Sequence, residues 1–401
     1  MKTPKILIPV LSAAVLISCS GSSSSPSAES LKETLRTASC KDMIMYGHQD
    51  ALMYGHSWKA AAKGEENPGE NLFSGLDKSD VKDVCGSHPA VLGFDLGGIE
   101  TGSTANLDGC PFDLMRKAAS LHYERGGIVT FSWHLRNPLT GGDSWDVSSK
   151  EVVASVLEGG REHGTMLEWL SACADFLSSI RDSNGNIIPV IFRPWHEHTG
   201  SWFWWGQDLC TPEQYVALWN MTYSYLVKER GLTNLVWAYS PGAGVDMKGY
   251  MERYPGDETV DVLGLDCYQY VAWPADGRDS ISHNVRDSLL EASIRPYMEQ
   301  IGTSLAFMQE IAAVHGKTIA LTETGLEGIP YEKWWTEVLH PAIKGSGIAY
   351  VLTWRNACDR PEHFYSAYPG AACEQDFKEF CRLPDIVLLD EMSSLRRRNG
   401  R

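Results

Sequence analysis

The sequence predicts a single (β/α)8 barrel, the TIM architecture, on three observations. Eight short apolar runs are bounded by Gly, Pro and polar residues, at 43–46, 90–94, 127–132, 187–192, 234–239, 260–265, 318–321 and 348–353. Helix-period segments lie between several of them, and nearly every run begins apolar and ends polar or aromatic. Strand–helix alternation repeated eight times implies one parallel barrel, and barrels present their functional groups at the carboxyl ends of the strands.

Each element has its own justification. The segment 166–180 sets Leu167, Leu170, Ala174 and Leu177 on one helical face, and 212–228 does the same with Tyr215, Leu218, Trp219 and Leu226. Ile301, Leu305, Met308 and Ala312 form the apolar face of 297–314. The strand ends read Gly47-His48-Gln49-Asp50, Asp95-Leu96-Gly97-Gly98, Trp133-His134-Leu135-Arg136-Asn137, Arg193 to His198, Ser240-Pro241, Asp266-Cys267-Tyr268, Glu323-Thr324-Gly325 and Trp354-Arg355-Asn356. One polar strand end means little; seven or eight are hard to explain as loops.

The barrel is expected to occupy 36–390 of the 401 residues. Ahead of it, Lys2 and Lys5 with the apolar stretch from Ile6 to Ile17 read as an export signal. Leu16-Ile17-Ser18-Cys19 resembles a bacterial lipobox, so residues 1–19 are assigned as a lipoprotein signal with Cys19 as the lipid-modified residue. Residues 20–35 are assigned as a Ser-rich tether and 391–401 as a basic C-terminal tail. No other apolar run approaches the ~18 residues that span a bilayer. The expected location is therefore the periplasm or outer membrane, with the membrane reached through the N-terminal lipid only.

Formal net charge is −16, from 51 acidic and 35 basic residues, which argues against a nucleic-acid partner. Fourteen Trp and sixteen Tyr suit a neutral polysaccharide, because a sugar ring offers an apolar C–H face to an aromatic ring. A monomer is expected. Ten cysteines, less Cys19, leave nine. Outside the cytoplasm some should pair: Cys85 and Cys110 flank the second strand, Cys373 and Cys381 frame a short C-terminal segment, and Cys267 lies inside a strand. Their connectivity stays open.

The most informative stretch runs from Arg193-Pro194-Trp195-His196-Glu197-His198 to Trp202-Phe203-Trp204-Trp205-Gly206. A carboxyl group among tryptophans at a strand end points to glycoside cleavage, which needs one acid to protonate the leaving oxygen and a second carboxylate as nucleophile or base. Glu323, ending the seventh run, supplies that second carboxylate opposite Glu197 at the end of the fourth. Burial near His196 and the tryptophans should raise the Glu197 pKa, whereas donors around Glu323 should keep it ionised. His134 is expected to donate to substrate, Tyr268 to orient the nucleophile, and Trp354 to floor the cleavage point. Trp202 and Trp205 read as stacking platforms. His196 and His198 invite a metal reading, but the motif is not HExxH and no clear third ligand follows, so neither metal nor cofactor is assigned. No GxSxG is present for a serine nucleophile.

These residues together resemble glycoside hydrolase family 26, the β-mannanase family. The matching motifs are Arg193 to Glu197 with Trp202 to Gly206, Tyr254-Pro255-Gly256-Asp257 with Val260-Asp261 and Asp266-Cys267-Tyr268, and Glu323-Thr324-Gly325. The resemblance covers about residues 36–390. It implies a retaining β-1,4-mannanase with Glu197 as acid/base and Glu323 as nucleophile, and Arg193, His196, Trp133-His134 and Trp354 among or beside substrate-contacting residues. His196, where the clan usually has Asn, is characteristic of the family. The family also holds xylanases and mixed-linkage glucanases, which stay open as alternatives, as does a non-catalytic glycan-binding lipoprotein; a pure binding module has no need of paired acids. The lipoprotein start and Gly47-His48-Gln49-Asp50 resemble members from gut Bacteroides-type bacteria, some of which release mannobiose from chain ends.

Overall fold

The computed structural model describes residues 26–61 and 72–397. The signal segment and Cys19 lie outside the described residues. Eight parallel strands close into a barrel: β1 (Ile44–Gln49), β2 (Val91–Asp95), β3 (Ile128–Ser132), β4 (Val190–Arg193), β5 (Leu235–Tyr239), β6 (Val262–Tyr268), β7 (Thr318–Gly325) and β8 (Ile348–Thr353). Each pairs with the next, and β8 pairs with β1 to remove both edges. The strands are buried on both faces, which is why they read as continuous apolar runs rather than alternating ones.

All eight expected strands are present, and their ends move where the sequence is polar. β1 runs on through Gly47-His48-Gln49, β6 to Tyr268 and β7 to Gly325, because barrel closure pairs backbone that local polarity alone would assign to loops. The register of β7 against β6 slips by one residue, Leu321 facing Leu265 and Glu323 facing Asp266. Thr322 is the extra residue, and a bulge of this kind re-aims the side chain that follows it. Here that side chain is Glu323.

The proposed tether boundary is corrected. Helix α1 (Ala28–Cys40) starts inside residues 20–35, capped by Ser27. Leu31, Leu35 and Ala38 are buried with Met45, Val91, Ile191, Val236 and Val262, at the starts of the strands. α1 therefore plugs the amino end of the barrel, where the apolar interior would otherwise meet water. The C-terminal tail is corrected for the same reason. Its helix, α8 (Met392–Arg397), buries Met392 and Leu395 in that same cluster.

Around the barrel stand α2 (Asp80–Cys85), α3 (Phe112–Glu124), α4 (His163–Ser179), α5 (Pro212–Tyr223), α6 (His283–His315) and α7 (Glu374–Phe380). α5 opens with a full capping box, Thr211 and Gln214 exchanging hydrogen bonds, and with Pro212 in its first turn. It passes into a π-helical stretch, Ser224–Glu229. α6 begins well before the expected 297, carrying Pro296 in its interior. Cys373 and Cys381 flank α7, eight residues apart along a helix. At about 1.5 Å per residue they stand roughly 12 Å apart, so they cannot bond to each other.

Candidate active site

The carboxyl ends of β3 to β8 surround a cleft of about 300 Å³ lined by His134, Trp145, Glu197, Trp202, Phe203, Tyr268, Tyr270, Glu323, Trp354, His363 and Tyr365. The turn after β4 builds one wall. Trp195 and Glu197 both sit at positive φ, +54° and +53°, which costs an L-residue on the order of 1–3 kcal/mol. Four bonds hold the turn there. The Tyr215 hydroxyl donates to the Trp195 carbonyl at 2.9 Å, and the Trp205 indole donates to the His196 carbonyl at 2.8 Å. Trp195 donates its own indole N–H to Thr222 Oγ1, and the Glu197 amide donates to the Ser240 carbonyl. The result is a carboxyl group aimed into the cleft from a rigid backbone.

Glu197 and Glu323 meet different surroundings. The Glu197 carboxylate accepts one hydrogen bond, from Trp202 Nε1 at 2.7 Å. Burial, and then the Glu323 charge, push its pKa up to about 7. Glu323 accepts from Arg193 Nη2 on one oxygen and from the Tyr268 hydroxyl, at 2.8 Å, on the other. Arg193 is itself fixed, its Nη1 donating to Asp266 Oδ2 at 2.7 Å and to Ser240 Oγ. Thr322 Oγ1 closes the network on Asp266 Oδ1 at 2.6 Å. Gly264 makes room for it: a Cβ there would lie 2.6 Å from that of Ser240 and 2.7 Å from Thr322 Oγ1. A guanidinium between two buried carboxylates makes charge-assisted hydrogen bonds to both and fixes their orientation.

A second network lies behind the cleft. Asp95 accepts from His134 Nδ1 at 2.7 Å, from Ser132 Oγ and from the Gly97 amide. Burial opposes a charge on His134, yet the Asp95 and Glu323 carboxylates outweigh it and raise the pKa. His196 is the reverse: burial and Arg193 push its pKa well below the usual imidazole value. The two rings meet through their Nε2 atoms at 3.2 Å.

Three expected substrate contacts are corrected by burial. Arg193 is enclosed beneath Glu323 and is spent on two carboxylates. His196 lies behind His134 and Phe203, outside the lining of the cleft. Trp205 is fully buried, stacked on Phe203 and edge-on to Trp195, so it braces the turn and has no face for a sugar. Trp202, by contrast, is 47% exposed, and Trp354 and Tyr268 are half-buried in the cleft wall. His198 packs between the rings of Tyr215 and Tyr239.

Other lining residues were not singled out from sequence. Trp145 is 47% exposed and its ring stacks beside His134 at 5.2 Å. Tyr270 is 81% exposed. Tyr365 lies against Gly325, where a Cβ would come within 2.3 Å of its ring. Asp95 ends β2 and Asp266 directly follows the sixth apolar run of the sequence, and those positions were the available signal for both.

Fold and cleft together define a (β/α)8-barrel protein with two glutamates converging from β4 and β7. The model of glycosyl hydrolase family 26 matches residues 33–326, and the chain belongs to that family. It is 32% identical over 331 residues to a mannan endo-1,4-beta-mannosidase of Bifidobacterium adolescentis, covering 78% of this chain and 31% of that protein. It is 33% identical to the Bacillus subtilis mannan endo-1,4-beta-mannosidase, covering 53% of this chain and 59% of that one. The chain thus spans less than two thirds of the length of these relatives. Among solved structures, a GH26 beta-mannanase from Bacteroides ovatus superposes with a TM-score of 0.79 at 45% identity, over 90% of this chain and 94% of that one. The catalytic domain of a Bacillus sp. JAMB-750 GH26 endo-beta-1,4-mannanase gives 0.75 at 29% identity, over 92% and 93%.

Proposed function

We propose that this chain is a retaining glycoside hydrolase that cleaves β-1,4-mannosidic bonds, with Glu197 as acid/base and Glu323 as nucleophile. The observation that carries the reading is the unequal treatment of two carboxyl groups in one cleft. Glu197, raised to about 7, keeps a substantial protonated fraction at neutral pH, while Glu323 lies between a guanidinium and a phenol. In the first step a Glu323 oxygen attacks the anomeric carbon as the glycosidic C–O bond breaks, and Glu197 transfers its proton to the departing oxygen. The glycosyl ester formed carries no charge on Glu323. That removes one of the causes raising the Glu197 pKa and leaves Glu197 as the base for an incoming water. Water then displaces Glu323 from the anomeric carbon, and its proton returns Glu197 to the starting state.

Mannan as the substrate class is supported by the relatives named above and by the exposed rings of Trp202, Trp145 and Tyr270 beside the acids. Release of mannobiose from chain ends, a lipid on Cys19 and a monomeric body belong to the same proposal.

The test is reducing-sugar release by residues 20–401 on β-1,4-mannan, xylan and mixed-linkage glucan, without added metal. Turnover of mannan ahead of the other two is expected. Preference for xylan or glucan overturns the substrate assignment. Complete loss of activity in EDTA, restored by a divalent ion, overturns the mechanism.

A further inference from the structure

Two of the nine cysteines beyond Cys19 meet although they lie far apart along the chain. Cys85 is the last residue of α2 and Cys381 the residue after α7, 296 positions apart, and their Sγ atoms lie 2.9 Å from each other. A disulfide needs about 2.05 Å, so roughly 0.9 Å of approach would join them. Both sit at helix ends, where a small shift of the last turn disturbs few backbone bonds. Cys85 is partly exposed, open to a small oxidant, while Cys381 is nearly buried beside it.

Both helices are anchored to parts of the barrel that matter. Asp80, the first residue of α2, accepts from the His56 amide at 2.7 Å, Trp58 Nε1 at 2.8 Å and Asn356 Nδ2 at 2.8 Å. Asn356 follows Trp354 by two residues, so α2 holds the loop that carries one wall of the cleft. α7 buries Phe377 and Phe380 against Trp335 and Tyr46, and its Asp376 accepts from the Trp335 amide. The chain beyond it adds Ile386–Val387 to β1. The thiol pair thus joins the support of the cleft wall to the last segment laid on the barrel.

We propose that Cys85 and Cys381 form a disulfide that staples α2 to α7 in the exported protein. Formation is an exchange with a disulfide oxidant. The Cys85 thiolate attacks one sulfur of the oxidant and releases its first thiol. The Cys381 thiolate then attacks Cys85 Sγ in the mixed disulfide and releases the second. Two protons and two electrons pass from the pair to the oxidant, which ends as two thiols. The bond constrains the unfolded chain through a very long loop and so favours the folded state. In the cell the proposal rests on export. In the tube it does not, so a failure of lipid attachment at Cys19 would leave the link untouched.

The experiment uses residues 20–401, purified with reductant and then held in oxidised glutathione, denatured and alkylated. Seven of the nine cysteines should alkylate, and a peptide containing Cys85 should be found joined to one containing Cys381. Dithiothreitol should free both and lower the melting temperature. Cys85→Ser and Cys381→Ser should each melt where the reduced protein does and ignore dithiothreitol. Alkylation of all nine cysteines, a bond to any other partner, or a melting temperature indifferent to reductant would overturn the proposal. The mass and peptide readouts come from the unaltered sequence, so they stand even if a variant fails to fold.

Discussion

At the level of single residues, catalysis depends on where each proton sits. If Glu197 must deliver a proton, kcat/KM on mannooligosaccharides should fall as pH rises through about 7. An aryl mannoside with an acidic phenol needs no such help, and its kcat/KM should lack that limb; an identical limb on both substrates would remove Glu197 from the acid role. Stability carries the opposite sign. The folded-state pKa lies above the 4.5 of an ordinary glutamate, so the folded protein binds the proton more tightly and loses stability as pH climbs between the two values. Glu197→Gln should therefore raise the melting temperature above pH 7 and leave it unchanged at pH 4, where both states are protonated. The two tryptophans should separate in the same way. Trp202→Ala should weaken oligosaccharide binding by ~1–3 kcal/mol, the value of one large apolar face. Trp205→Ala should instead cost about 3–5 kcal/mol of folding stability, because its ring is in the core. An unchanged KM in the first variant, or an unchanged melting temperature in the second, would contradict the assignments.

Elements show why one tryptophan was legible in the sequence and the other was not. The run 187–192 and the charged residues after it identified the strand end, and Glu197 with it. Within the aromatic cluster, however, Trp202, Trp204 and Trp205 look alike in one dimension. The tight turn at Trp195 and Glu197 decides which rings fold back beneath it and which remain outside. Arg193 and His196 were misread for a related reason: polar residues at a strand end usually face ligand, but these two are consumed by neighbouring carboxylates and by His134. The bulge at Thr322 was invisible altogether, since it exists only relative to β6. The turn itself is testable. Tyr215→Phe leaves the buried Trp195 carbonyl without its donor, at a cost of about 1–3 kcal/mol, and lets the turn relax. A fall in kcat larger than any change in KM is expected. Equal kcat in the variant would mean that the turn holds without this bond.

Across the whole molecule, the eight strands were legible because each is buried on both faces, and α1 was not because serine-rich sequence just before it reads as tether. Leu31 and Leu35 are too few to announce a helix, yet they close the amino end of the barrel. Deleting residues up to 35 should therefore lower the melting temperature sharply, while deleting residues up to 25 should not; equal stability of the two truncations would return the segment to the tether.

In the proposed mechanism Glu323 forms a covalent bond to the sugar while Glu197 manages the proton. Retaining enzymes hold their two carboxyl groups ~5–5.5 Å apart, whereas inverting ones leave ~6.5–9.5 Å for a water, and the two routes release opposite anomers first. Proton NMR of mannooligosaccharide cleavage, recorded before mutarotation, tests this directly. The β-anomer is expected as the first product, and a methyl β-glycoside when methanol is present. Appearance of the α-anomer first would contradict a glycosyl–Glu323 intermediate.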